Sequence, residues 1–452
     1  MTTQASVRTK STYVPNPASW PQPIETVQRW HPLTLIAFRW CFIYFGLYVL
    51  TTQMGPGMLP IPGIQIPDPG TLPPVRNLTL WIGTHVLGIS RAIPYDPTGS
   101  GDKTFDWVHT FAMAVIAMTV TAIWTSVGRQ RRNHERLFRW FRLFVRFALG
   151  TTMLTYGWAK AIPLQMPSLT LSRLVEPFGN FSPMGVLWSS IGAAPGYEIF
   201  VGLAEIGAGM LLFWPRTATI GALMCLMDTI AIFTLNMTYD VPVKLFSLNL
   251  VLMSLFLVAP NMRRLFDLFV LHRSSTLREE PSFGRSPLVR RNAAIAQIAF
   301  GVVVFLLNGY GTMRVWNMYG GGAPKSPLFG IWDVQQMTVD GAIRPPLFTD
   351  STRWRRLIFQ SPTGARFQRP NDNTKSYDAA FDTSARTLML TTTDSAKTKS
   401  PLSYQRPSHE RLLIDGTLDG HAIHLELAFR DPDSFLQRSR GFRWISEVPF
   451  NR

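Results

Sequence analysis

The chain has 452 residues, of which 46% are hydrophobic and only 16% are charged, and its formal net charge is +16. A nucleic-acid partner is not expected, because most of the basic residues lie in short stretches beside apolar runs rather than in one soluble patch. The two cysteines, Cys41 and Cys225, both lie in apolar runs, which excludes a disulfide framework, a CxxC redox pair and a zinc ribbon.

The first half of the chain begins with a polar segment. Residues 1–32 are polar and rich in proline, and they contain no apolar core of a cleavable signal peptide. After it, length and apolarity predict seven membrane-spanning helices. These spans are 33–53, 105–126, 141–161, 197–214, 218–237, 242–259 and 293–311.

Two long connections join these spans on the same side. The one that begins "NLTLWIGTHVLGIS" is too short and too mixed to cross a bilayer, so it predicts an interfacial helix followed by a loop rich in proline and glycine. The other begins "PLQMPSLTLSRLVEPF" and is expected to pack over the helices. The regions are then two leading spans in 33–137, a four-helix unit in 138–270, a basic linker in 271–292 and a last span in 293–312.

The orientation follows from the arginines. They are dense in "GRQRRNHERLFRWFR", they recur in "WPRT", and they are dense again after "NMRRLFDLF". Because connections rich in Lys and Arg stay in the cytoplasm, we expect a multi-pass protein of the bacterial inner membrane with a cytoplasmic N-terminus. The rest of the chain, 320–452, would then be periplasmic or extracellular.

After about residue 320 the pattern changes to short alternating segments. Asp-Gly pairs at 340–341, 415–416 and 419–420 are typical of tight hairpin turns. Region 320–452 therefore predicts an all-antiparallel β-domain of about eight strands, either a barrel or a strongly curled sheet. Within it, "KSPLSYQRPSHE" predicts a loop.

Ionisable residues inside the spans are costly in hydrocarbon, so each needs a partner or a task. Helical spacing places several on common faces, and the candidate site is Arg146, Tyr156, Lys160, Glu198, Glu205, Asp228, Asn236, Asp240 and Lys244. Lys160, Glu198, Asp240 and Lys244 are expected at the outer ends of their helices, where the two bases and two acids could neutralise one another. Glu205 and Asp228 are expected deeper.

A structural role for the same residues stays open. Lysines near helix ends often extend to the interface, and acids there often face water. Glu205 and Asp228 could be held by Arg146 or by hydroxyl groups instead of serving a ligand. Gly202 and Gly209, which lie beside the glutamates, predict the close approach of another helix.

Three stretches resemble the DoxX-like family of four-helix membrane proteins over residues 138–270. They are "FVRFALGTTMLTYGWAKAI", "YEIFVGLAEIGAGMLLFWPRTATIGAL" and "NMTYDVPVKLFSLNLVLMSLFLVAP". The residues that carry the resemblance are Arg146, Gly157, Lys160, Glu205, Arg216, Asp240 and Lys244. It implies a membrane partner of redox enzymes, such as a subunit of a quinone-linked oxidoreductase. The chain departs from the family in its extra helices, its β-domain and its lack of a cysteine suited to sulfur chemistry.

The β-domain offers a second resemblance. "GIWDV", with Gly330 and Trp332, resembles the start of lipocalin-like barrels. It implies that Arg443 covers Trp332, and that the barrel holds either a small apolar ligand or, more commonly, a filled core. The histidines predict no metal site, since His85 and His109 would meet only by a coincidence of folding.

Two functional hypotheses follow. The first is a membrane component of a redox system that binds quinone in the four-helix unit and works with an exported or membrane redox partner. The second is non-enzymatic, a membrane anchor that presents its β-domain to a partner or a small apolar ligand. The lipid bilayer is a partner in both.

Overall fold

The computed structural model describes residues 29–64, 66–128, 133–274, 283, 286–350 and 352–451. Residues 1–28 of the predicted polar N-terminus and most of the predicted linker 271–292 lie outside these ranges. The helical part contains α1 Pro32–Thr51, α2 Met54–Gly57, α3 Pro73–Trp81, α4 Thr104–Val127, α5 Glu135–Ala161, α6 Leu171–Val175, α7 Pro183–Gly192, α8 Pro195–Phe213, α9 Ala218–Thr238, α10 Lys244–Val258, α11 Met262–Phe269 and α12 Pro287–Tyr319.

Six helices in the described ranges are long and apolar enough to cross a membrane. They are α1, α4, α8, α9, α10 with its continuation α11, and α12. The other long helix, α5, coincides with the third predicted span but carries Arg142, Arg146 and Lys160, which lower its hydropathy. The prediction of a multi-pass membrane protein is therefore confirmed, and α3 is the expected short helix between the first two spans.

Glycines let α5 and α8 pack with their backbones in contact. A Cβ atom added to Gly157 would lie 2.9 Å from the carbonyl oxygen of Gly202, and one added to Gly209 would lie 3.0 Å from that of Gly150. The predicted close approach at Gly202 and Gly209 is confirmed. Because each of these two contacts is made between glycines, the neighbouring side chains of α5 and α8 face each other at short range.

The two leading spans are joined to each other by a buried arginine that the sequence analysis did not single out. Arg39 of α1 donates to Nε2 of His134 at 3.2 Å and to Oγ1 of Thr125 at 3.0 Å. Its guanidinium also lies 5.5 Å from the ring centre of Trp124. These contacts provide a buried cation with acceptors in a region that would otherwise be apolar.

The C-terminal part is a closed barrel. Its strands are β1 Gly330–Val339, β2 Ala342–Ile343, β3 Arg356–Phe359, β4 Gly364–Gln368, β5 Thr374–Asp382, β6 Thr387–Thr392, β7 Lys399–Ser408, β8 Arg411–Leu418 and β9 His421–Arg430, and the short helix α13 Leu436–Ser439 follows. Neighbouring strands pair in the order β2-β1-β3-β4-β5-β6-β7-β8-β9, and β1 also pairs antiparallel with β9. Eight strands thus close the barrel, and β2 adds a short hairpin, which confirms the predicted fold class.

Two local predictions in the β-domain were wrong. The segment "KSPLSYQRPSHE" is not a loop but largely strand β7, because Ser400, Leu402 and Tyr404 alternate into the interior. The pair Asp415-Gly416 is not a turn but lies inside β8, where Gly416 lets the backbone of β7 approach closely. Asp340-Gly341 and Asp419-Gly420 do form turns, with positive φ at all four residues.

Large side chains fill the barrel interior. Trp332, Phe359 and Phe367 are fully buried in one apolar cluster, and the indole of Trp332 donates to the carbonyl of Leu328 at 2.9 Å. The arginine over Trp332 is Arg406, at 5.4 Å from the ring centre, whereas Arg443 is exposed. The expectation for Arg443 was therefore wrong, since an arginine from β7 takes that place.

The barrel rests on the long connection between α5 and α8. Leu171 and Leu174 of α6 pack on Ile331 and Ile358, which point outward from β1 and β3. The amide of Leu171 donates to Oε1 of Gln360 at 2.9 Å. We call the helix ends nearest this contact the barrel side. They include the C-terminal end of α5 and the N-terminal end of α8.

Replacing Trp332 by alanine is expected to lower the free energy of unfolding of the barrel by about 3–5 kcal/mol, because it removes the largest buried side chain of the core. The measurement is urea denaturation of the full chain in detergent, followed by near-ultraviolet circular dichroism. Trp444→Ala is the matched control, since Trp444 is 92% exposed and its loss should change stability by less than about 0.5 kcal/mol. Equal effects of the two substitutions would contradict the assigned core.

Candidate polar site in the helical bundle

The centre of the candidate site is an ion pair between α5 and α8. Nζ of Lys160 lies 2.5 Å from Oε1 of Glu205, and their side chains are only 7% and 0% exposed. The two residues meet because the glycine contacts bring α5 and α8 together one turn away on each helix. Lysine and glutamate are both costly to bury alone, so each makes the burial of the other tolerable.

Two further carboxyl groups surround this pair. Glu198 lies two turns from Glu205 on α8, is buried, and accepts a hydrogen bond from the amide of Met166 at 2.9 Å. Asp228 of α9 is half-buried and lies close enough to interact electrostatically with both Lys160 and Glu205. The site thus combines three carboxyl groups with one ammonium group.

Each of the three carboxyl groups has one buried oxygen without a hydrogen-bond partner in the described structure: Oε2 of Glu198, Oε2 of Glu205 and Oδ2 of Asp228. A buried acceptor with no donor is costly, by about 1–3 kcal/mol. Protonation turns such an oxygen into a donor that a ligand can accept from, and a ligand can also donate to the unprotonated oxygen. The arrangement can therefore hold exchangeable protons or bind a molecule with hydrogen-bonding groups.

Tyr156 connects this centre to the surface on the barrel side. It lies one turn before Lys160 on α5, with the ammonium group 5.8 Å from its ring centre. Its hydroxyl accepts a hydrogen bond from Nε2 of Gln53, an exposed residue after α1, at 3.4 Å. Tyr156 and Gln53 thus lie between the buried ion pair and solvent.

Lys160, Glu198, Asp240 and Lys244, which were predicted to form one outer cluster, do not pair with one another as a group. Nζ of Lys244 lies 2.7 Å from Oδ1 of Asp240, whose side chain is 81% exposed. All four residues do lie at the ends of their helices or next to them. However, Lys160 pairs with Glu205, and Lys244 pairs with Asp240 at the surface.

Asp102 is a contributor that the sequence analysis missed. It lies just before α4 and accepts hydrogen bonds from the amides of Lys244 and Leu245 at 2.8 and 3.0 Å. It therefore caps the N-terminus of α10, and its carboxylate lies 3.7 Å from Nζ of Lys244. A cap from a residue 142 positions earlier leaves no local sequence signal.

Arg146 does not hold Glu205. Its Nε donates to the carbonyl of Leu212, near the C-terminal end of α8, at 3.0 Å. Arg142 makes the corresponding contact with the carbonyl of Leu257 in α10 at 2.8 Å. Both guanidinium groups thus donate to carbonyls near the C-terminal ends of neighbouring helices, on the side away from the barrel.

Asn236 and the two histidines that the sequence singled out each have a partner outside the ion pair. Nδ2 of Asn236 donates to Oγ of Ser247 at 3.0 Å, which joins α9 to α10. His109 lies between the hydroxyls of Thr51 and Thr79, at 2.9 and 3.1 Å, whereas His85 is exposed and stacks on Trp81. In the part of the chain that the structure describes, no group of three or more His, Cys, Asp or Glu side chains is arranged to hold a metal ion.

Part of the chain is similar in sequence to a bacterial protein of uncharacterized function. The chain is 30% identical over 150 residues to the uncharacterized protein YwoB of Bacillus subtilis strain 168. The alignment covers 33% of this chain and 88% of YwoB. No protein-family model matches the chain, and no solved structure matches it.

Lys160→Met is expected to lower the free energy of unfolding by about 3–5 kcal/mol, because it leaves the Glu205 carboxyl buried without its partner. Asp240→Asn is the control at the surface pair and should cost about 0–1 kcal/mol. Titration from mixed micelles with sodium dodecyl sulfate measures both. The double variant Lys160→Met/Glu205→Met should recover most of the loss, and a double variant as unstable as Lys160→Met would refute the pairing.

Proposed function

We propose that this chain, which belongs to the same family as Bacillus subtilis YwoB, is a membrane component of a quinone-linked redox system. The observation that carries the proposal is the largely buried set of Lys160, Glu205, Glu198 and Asp228, in which three carboxyl oxygens have no hydrogen-bond partner among the residues that the structure describes. We place the chain in the bacterial inner membrane, with its N-terminus in the cytoplasm and its barrel outside.

Charge balance supports a proton-exchanging role for this set. One ammonium group neutralises one carboxylate, and leaving the other two carboxylates charged in an apolar region would cost far more than protonating them. A protonated carboxyl group can donate a hydrogen bond through the oxygen that otherwise lacks a partner. The set can therefore supply protons to a molecule bound beside it and take them up again.

A quinone is the class of ligand that suits such a site. Quinones dissolve in the bilayer, carry carbonyl acceptors, and take up protons together with electrons when they are reduced. Protonated Glu198 or Asp228 and the ammonium group of Lys160, which Glu205 holds in place, are donors for those carbonyls. The electrons would come from an exported or membrane redox protein, in keeping with the resemblance of residues 138–270 to the DoxX-like family.

The test is the binding of decylubiquinone, a quinone with a short tail, to the detergent-purified full chain. Glu205→Gln and Asp228→Leu are expected to weaken binding about tenfold each. The first removes the carboxylate that holds the Lys160 ammonium group in place, and the second removes a hydrogen-bond donor to the quinone; a hydrogen bond to a charged group is worth about 1.5–3 kcal/mol. Glu176→Gln is the matched control, since Glu176 lies in the connection between α5 and α8 and pairs with Arg173. It should bind as the unmodified chain does.

The double variant Lys160→Met/Glu205→Met serves as the control for folding, because it removes both buried charges together. Loss of quinone binding in a folded double variant supports the site. If no quinone co-purifies, and if Glu205→Gln and Asp228→Leu both match the unmodified chain in quinone binding, the proposal is wrong.

A non-enzymatic function is the second candidate, and the C-terminal tail favours it. Phe442, Trp444, Ile445 and Val448 are all exposed after the barrel, although apolar side chains of this size usually find a partner surface. An anchor that presents this tail would retain its partner when Glu205 is replaced and would lose it when residues 441–452 are deleted. A pull-down with both variants of the full chain separates the two functions.

A further inference from the structure

A cleft of about 850 Å³ lies beneath the barrel, outside the polar site of the bundle. Three parts of the chain form its walls: residues 168–171 of the connection between α5 and α8, residues 319–321 and 323–325 at the C-terminal end of α12 and just after it, and the base of the barrel. At the base, the turn after β3, the turn after β7 and the segment after β9 contribute. Its volume is within the range of sites for small molecules.

The chain folds back tightly beside the cleft, where α12 ends. Gly320, Gly321 and Gly322 fold back over Trp316, and a Cβ atom on any of them would contact that indole at 3.3 Å or less. Glycines at these positions therefore let the chain pack closely against Trp316, and Gly320 and Gly321 line the cleft. The barrel then begins at Gly330 without closing the space below it.

The walls carry both signs of charge. Lys325 lies with its ammonium group 4.7 Å from the ring centre of Phe329, and Arg438 pairs with Asp433 at 3.3 Å. Glu410 and Asp431 line the same cleft and are exposed. A ligand that carries a positive and a negative group would find a counter-charge for each within one cleft.

The position of the cleft favours a ligand that reaches it from the bilayer. Tyr319 is the last residue of the apolar helix α12, lines the cleft and is 80% exposed. Tyrosine is enriched where a spanning helix leaves the hydrocarbon, at the level of the lipid headgroups. The cleft therefore opens at the height at which headgroups lie.

We propose that the cleft beneath the barrel binds the headgroup of a zwitterionic phospholipid, with its phosphate near Lys325 and Arg438 and its ammonium group near Glu410 and Asp431. The acyl chains remain in the outer layer of the bilayer along α12. This inference is independent of the quinone proposal, because none of its residues belongs to the polar site of the bundle.

The experiment measures retention of phosphatidylethanolamine by the detergent-purified full chain, using native mass spectrometry. Ser361→Trp fills the cleft from the turn after β3 and is expected to reduce retention about tenfold, as is Lys325→Glu, which removes a phosphate partner. The matched controls are Ser384→Trp, in another exposed turn at the barrel base, and Lys399→Glu, at an exposed position of β7. Both controls should retain the lipid, and unchanged near-ultraviolet circular dichroism verifies folding of all four.

Free glycerophosphoethanolamine, which has the headgroup without the tails, tests the source of the ligand. The proposal expects it to bind much more weakly than the lipid. Equal retention of phosphatidylethanolamine by Ser361→Trp and Ser384→Trp would overturn the site. Equal affinity for the free headgroup and the lipid would overturn the assignment to a bilayer lipid.

Discussion

The backbone contact between α5 and α8 is the constraint on which the helical part depends. Gly157 and Gly202 let the two helices approach until Lys160 reaches Glu205, and that pairing makes two ionisable groups tolerable at a depth where neither could stay alone. A larger residue at either glycine would separate the partners before it did anything else. The helix packing and the electrostatics are therefore one arrangement, and they cannot vary independently.

The same contact extends to the barrel through the connection that follows α5. Glu198, on the face of α8 that carries Glu205, holds the amide of Met166, and the chain then continues to Leu171 and Leu174 under the barrel. Only a few residues separate the buried carboxyl groups from the wall of β1 and β3. The site in the bundle and the β-domain are thus parts of one continuous structure, although they differ completely in secondary structure.

Apolar length and period-two alternation predict the spans and the barrel, because both depend on local sequence. The turns at Asp340 and Asp419 follow for the same reason, whereas Pro401 and Gly416 resemble breakers and only strand pairing makes them part of the sheet. Helical spacing selects Lys160, Glu205 and Asp228, but it cannot say which acid meets which base. Asp102 and Arg39 could not be found from the sequence, since their partners are distant in the chain and irregular in type.

The polarity of α5 has a consequence for how the protein is made. With Arg142, Arg146 and Lys160 in its length, α5 is too polar to enter hydrocarbon readily by itself, whereas α8 is sufficiently apolar. The acceptors that make α5 stable in the membrane, Glu205 and the carbonyls of Leu212 and Leu257, are synthesised later. α5 therefore gains the first of these partners only once α8 has been synthesised, which favours entry of the two helices into the bilayer as a pair.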